Sequence, residues 1–235
     1  MDLQAVLQEL ETLGTERIKK LYMSHGAHEP LFGVAVGAMK PLARRIAKNQ
    51  PLAEELYATG NYDAMYFAGV IADPKAMSAA DFERWMEAAY FYMLSDYVVA
   101  VTLAETDIAQ QVADRWIPSG QELYMSAGWS CYEWLLGSRP DAEFDRAKLS
   151  AMLDQVGRTI HSQPERAKYA MNNFVISVGI SYLPLHDEAV RVAAHVGQVD
   201  VTMGKTACKT PLATESIQKA VDKGRLGFKR RNVRC

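Results

Sequence analysis

Apolar residues recur along this chain at helical spacing. Leu3, Val6, Leu7 and Leu10 fall at i, i+3, i+4 and i+7. Phe82, Trp85, Met86 and Ala89 repeat that spacing, as do Leu149, Met152, Leu153 and Val156. So do Met171, Phe174, Val175 and Val178, and then Ala189, Val192, Ala193 and Val196. Each set lines one face of an α-helix and leaves the polar positions on the other. Ser78 precedes Asp81 by three and Ser162 precedes Glu165 by three, the spacing of a capping box, with Pro164 in the first turn of the second helix. Gly60, Gly137, Gly197 and Gly224 follow helical stretches, as C-terminal caps do. Asp73-Pro74, Arg139-Pro140-Asp141 and Leu183-Pro184 read as breaks.

One segment has a different period. Val199, Val201 and Met203 alternate with Asp200 and Thr202 before Gly204, which predicts a short hairpin or extended loop near 199–209 carrying Lys205 and Lys209. A last helix is expected over 214–223. The pattern predicts an all-α fold, a solenoid of stacked antiparallel helix pairs that bury their stripes on their neighbours and leave a concave face. A globular helical bundle is the alternative. The expected organisation is one helical-repeat domain, 1–222, followed by a basic tail, 223–235.

Charge changes this picture at one end. The 235 residues hold 26 Lys and Arg against 28 Asp and Glu. Six of the cations (Lys223, Arg225, Lys229, Arg230, Arg231 and Arg234) lie in the tail, which has no acid, so the rest carries about −8. A basic end on an acidic body suits a polyanion, because Lys and Arg at a phosphate backbone release condensed counterions. A solvated tail is the plainer reading. Lys40, Arg44 and Lys48 at i, i+4 and i+8, with Arg45 beside them and Phe32-Gly33 before them, predict a basic ridge on one helix. Arg166 and Lys168 sit near a helix start, where free amides and the dipole attract phosphate.

Other chemistry is sparse. Cys131, Cys208 and Cys235 are few and far apart, which argues against a disulfide framework and for a reducing cytosol. No CxxC, glycine-rich phosphate loop, G-x-S-x-G or HExxH occurs. His25 and His28 flank Gly26, a poor setting for a shared metal. The start MDLQAVLQELETLG has acids where a signal peptide has bases, and no apolar run is long enough to span a bilayer. Trp129, Tyr132 and Trp134 crowd one helix and read as core, with stacking on sugars or bases as the second reading. Asp96 and Tyr97 interrupt an apolar stretch, Asp96 reading as an N-cap after Ser95 or as a functional carboxylate.

Four stretches carry a resemblance to a known family: LFGVAVGAMKPLARRIAK from Leu31, LYATGNYDAMYFAGVIAD from Leu56, ERAKYAMNNFVISVGISY from Glu165, and the end from Met203. Together they resemble the AlkD-like DNA alkylation repair family, which is built of HEAT-like repeats. The resemblance implies a curved helical solenoid whose concave, basic face holds duplex DNA. It also implies glycosylase chemistry on N3- and N7-alkylated purines, with a Trp-x-x-x-Asp pair, a second Trp and an Arg set against the deoxyribose. The Asp there stabilises developing positive charge electrostatically. The present chain departs from those positions. The pair falls on Tyr97 and Val101, the second Trp near Asn173, and the Arg near Ala127. Asp96 lies about 100° round a helix from Tyr97.

The expected function is therefore structure-dependent, sequence-independent binding of duplex, damaged or branched DNA in a repair context, without efficient base excision. Lys40, Arg44, Arg45, Lys48, Arg166, Lys168, Lys205, Lys209, Arg225, Lys229, Arg230, Arg231 and Arg234 are the expected DNA contacts. The alternatives are an alkylpurine glycosylase with a relocated carboxylate, from Asp96 or Glu133 with Tyr97 nearby, and a helical-repeat protein-interaction scaffold. The expected setting is a cytoplasmic, nucleoid-associated monomer with no cofactor, metal or membrane partner.

Overall fold

The structure, a computed structural model, describes residues 1–202 and 209–233. Among them every regular element is helical. The chain divides into two compact units, Met1–Thr106 and Asp107–Thr202 with the described residues from 209 onward.

The first unit contains α1 (Leu3–Leu13), α2 (Glu16–Ser24), α3 (Lys40–Ile46), α4 (Gln50–Ala58), α5 (Tyr62–Ile71) and α6 (Ala79–Ala88). It ends with α7 (Tyr92–Leu94), a π turn (Ser95–Val99) and α8 (Ala100–Leu103). The first apolar stripe is the buried face of α1, where Val6 and Leu10 are fully enclosed. α4 packs on α5, and Tyr57 of α4 stacks on Trp85 of α6 with ring centres 4.2 Å apart. Ser78 and Asp81 form the capping box that the sequence predicts.

The second unit contains α9 (Ala109–Trp116), α10 (Glu122–Leu136), α11 (Arg146–Thr159), α12 (Glu165–Ser181), α13 (His186–Val196) and α14 (Ala213–Asp222). α10 packs between α9 and α12, and α12 also meets α13 and α14. Trp129 of α10 lies 5.0 Å from Phe174 of α12, and both are buried. Burying a side chain like Phe174 stabilises the fold by about 1.5–3 kcal/mol. Gly179 sets the approach of α14, since a Cβ there falls 2.6 Å from Ile217 Cδ1.

The proline breaks appear as short 3₁₀ turns, Pro74–Ala76, Asp141–Glu143 and Leu183–Leu185. The Ser162–Glu165 box does not form. Residues Ile160–Ser162 make a 3₁₀ turn, Ser162 Oγ donates to Thr159 O at 2.8 Å, and Pro164 takes the N-cap position of α12. Asp96 is not an N-cap either, because it lies inside the π turn. Of the segment 199–209, the residues up to Thr202 form no strand, and residues 203–208 lie outside those described.

Candidate nucleic-acid interface

In the first unit the basic segment is held by one buried carboxylate. Asp63, near the start of α5, accepts the backbone N–H groups of Phe32, Gly33 and Val34 at 2.6, 2.9 and 2.8 Å. Burial pushes its pKa up, and the three amides oppose that by stabilising the anion. Gly33 has φ +80°, and a Cβ on it falls 2.5 Å from Lys19 N. The loop is thus locked where it leads into α3.

The predicted ridge is only partly realised. Lys40 and Arg44 lie on α3, exposed and without an ion pair among the described residues. Arg45 is tied to Glu9 of α1. Lys48 falls beyond the helix, because Ala47 turns the chain with φ 58° and ψ −159°. Its ammonium stands 3.9 Å from both Asp73 and Glu105. The i+8 spacing does not show this, and the available signal was Asn49, which caps α4, with Pro51 in its first turn.

The catalytic positions implied by the resemblance are mostly closed. Val101 is 3% exposed and Ala127 is fully buried. Tyr97 is partly exposed, with its ring 6.3 Å from Tyr92. Asp96 is buried and accepts a hydrogen bond from Ser95 Oγ at 2.8 Å. Asn173 is half-buried on α12.

In the second unit the start of α12 does not present free amides at Arg166, whose N–H is taken by Glu122 at 2.8 Å. The Arg166 guanidinium covers the Tyr169 ring at 4.8 Å, and Lys168 pairs with Glu165 at 3.0 Å. Lys209 is exposed, while Lys205 and Arg234 lie outside the described residues.

The basic tail folds back on its own unit. Lys229 donates to Leu136 O at 2.8 Å and pairs with Asp141 at 2.8 Å. Arg230 N donates to Gly137 O at 2.7 Å, and its guanidinium lies 4.8 Å over the Trp134 ring. Gly227 N donates to Ile180 O at 2.8 Å. Lys229 therefore serves as a fastener, whereas Arg225 and Arg231 remain exposed. Between α10, α12, α14 and the tail lies a cleft of about 400 Å³, lined in part by Glu133, Ser181, Lys219, Lys223, Arg225 and Phe228. Lys219 and the serines of this cleft were not singled out from sequence. Lys219 on α14 and Lys223 at its C-cap, four residues apart, were the available signal.

Among the described residues no group of three or more His, Cys, Asp and Glu is placed to hold a metal, and no helix is long and apolar enough to cross a membrane. His25 Nδ1 is instead 2.9 Å from Tyr92 Oη, and the His28 ring stacks on Tyr90.

Among the described residues these features define packed helices with exposed cations, and buried or apolar side chains at most of the positions where the resemblance implies catalytic ones. The chain matches the DNA alkylation repair enzyme family over residues 4–210 and belongs to it. A protein of Listeria innocua serovar 6a, itself uncharacterized, is 32% identical over 217 residues, covering 90% of this chain and 94% of its own. Its counterpart in Listeria monocytogenes serovar 1/2a is 31% identical with the same coverage. A solved structure is 66% identical, covers 100% of both chains and superposes with a TM-score of 0.95. It is described as a new family of proteins related to the HEAT-like repeat DNA glycosylases with affinity for branched DNA structures. The HEAT-like helical-repeat fold expected from sequence is the fold of this chain.

Proposed function

We propose that this protein binds branched or damaged duplex DNA by its shape and phosphates and does not excise bases efficiently. The observation that carries the reading is the pairing of free cations with a closed catalytic position. Lys40 and Arg44 stand exposed on a locked segment, while Val101, where the family's Asp falls, is an apolar side chain 3% exposed. Phosphate contacts of this kind position DNA and carry no sequence information. The affinity for branched DNA attributed to the solved relative, 66% identical over the full length, supports the same reading.

The test has two parts on one protein sample. Binding to a four-way junction is compared with binding to a linear duplex of equal length, and release of N7-methylguanine is followed in a single turnover on the bound duplex. Tighter junction binding with release at the spontaneous rate is expected. Release well above that rate, lost in Asp96→Asn, establishes a glycosylase with a relocated carboxylate instead.

A further inference from the structure

The cleft at the end of the second unit has a composition that packing alone does not require. Lys219, Lys223, Arg225 and Arg230 line it, and all four lie past residue 210, where the family match ends. Lys219, Lys223 and Arg225 are exposed and have no ion pair among the described residues. The C-terminal ends of α10, α12 and α14 also converge here, and each carries about half a negative charge. With the Glu133 carboxylate they offset part of the positive charge. Four cations against one carboxylate and about one and a half dipole charges still leave a surplus of about one to two. That surplus is a lower bound, because the tail already occupies several of those carbonyls. Gly137 O, Ile180 O and Ala220 O accept from Arg230, Gly227 and Arg225 at 2.7, 2.8 and 2.9 Å. The cations therefore exceed what the helix ends need.

Two further features point to the kind of anion. Ser177, Ser181 and Ser216 line the cleft, and their hydroxyls make no hydrogen bond among the described residues. Thr102 and Thr159, by contrast, bond back to their own helices at 2.6 and 2.8 Å, and Ser126 and Ser150 bond to neighbouring segments at 3.3 and 2.5 Å. Phe228 stands at the cleft with 62% of its surface exposed, although it follows a segment pinned to α12. An exposed aromatic beside cations and free hydroxyls offers a stacking surface for a base and donors for its phosphate. The volume falls within the range of about 300–1,000 Å³ typical of small-molecule clefts.

We propose that this cleft binds a nucleoside monophosphate, with the phosphate held by Lys219, Lys223 and Arg225 and the base laid on Phe228. The unit arrives either as a free mononucleotide or as the 5′-phosphorylated end of a DNA strand. The cleft's chemistry stands apart from the phosphate contacts proposed for Lys40 and Arg44.

The full chain is titrated calorimetrically at low salt with dTMP, thymidine and inorganic phosphate. A single-stranded oligonucleotide with a 5′-phosphate is compared with the same strand bearing a 5′-hydroxyl. Binding of dTMP at least tenfold tighter than thymidine and phosphate, lost tenfold or more in Arg225→Glu and in Lys219→Glu, is expected for the free nucleotide. A preference for the phosphorylated end that disappears in the same variants identifies the strand end as the source. Phe228→Ala weakens the nucleotide but leaves inorganic phosphate unchanged. Thermal melting of each variant verifies folding, since these side chains make no ion pair. The proposal is overturned if dTMP binds no tighter than phosphate and the two oligonucleotides bind alike, or if Arg225→Glu and Lys219→Glu leave any such binding unchanged.

Discussion

The Asp63 carboxylate accepts the Gly33 amide at 2.9 Å across thirty residues of sequence, and the same group takes the amides on either side. This one side chain fixes the path into α3 and so the stance of Lys40 and Arg44. In Asp63→Asn the new amide group turns a donor toward one of those backbone donors. An orphaned buried donor costs about 1–3 kcal/mol, so a drop of several degrees in melting temperature is expected. DNA affinity falls as well, although residue 63 is buried and touches no phosphate. Circular dichroism melts and junction-binding titrations measure the two effects, and unchanged affinity in a folded variant argues against the loop's role.

The cations of the first unit are not equivalent. Each phosphate neutralised contributes about 0.9 to the slope of log affinity against log salt. Lys40→Ala and Arg44→Ala are each expected to lower that slope by about one. Arg45→Ala leaves the slope unchanged, because Glu9 already holds the guanidinium. Binding isotherms between 50 and 200 mM salt separate these outcomes, and equal slopes for all three variants contradict the assignment.

A carboxylate placed at Val101, where the resemblance implies the family's Asp, is not expected to restore chemistry. In Val101→Asp an ion enters a site that is 3% exposed, at a penalty of several kcal/mol, and it responds by protonating. The expected result is a lower melting temperature and no base release in a single turnover. Measurable release in that variant refutes the closed-site argument.

Ala47 has φ 58° and ψ −159°, a region that is nearly reserved for glycine and costs other residues about 1–3 kcal/mol. Glycine gives back about 0.5–1 kcal/mol of that through its freer unfolded chain. Ala47→Gly is therefore expected to stabilise by about 1 kcal/mol. A chemical-denaturation midpoint that falls in this variant contradicts the strained turn.

Much of this was legible in the sequence, and the failures share a cause. The apolar stripes of α1, α6, α11, α12 and α13 were readable because burial follows the helical period. The Ser78 box was readable because both of its partners lie within one turn. Ser162 failed because a 3₁₀ turn consumed the residues that its box needed. Lys48 left the ridge because of a backbone turn at Ala47, and only the Asn49 cap and Pro51 beyond it mark the break. Asp63 went unnoticed because its three amides come from a loop thirty residues away. The tail's fastening to Leu136 O and Gly137 O is equally non-local, since it depends on carbonyls exposed only once α10 has ended.

Gly137 illustrates how a residue read as punctuation can set chemistry. Its φ of −77° is open to any amino acid, so the glycine is not there for the turn. A Cβ on it falls 2.5 Å from Arg230 Nη2, in the space where the guanidinium crosses Trp134. A single methyl group at this position evicts the side chain without unfolding the helix, because a long flexible arm simply swings away. The seat of that charge is thus written in α10 as a missing atom, more than ninety residues before the arginine that fills it.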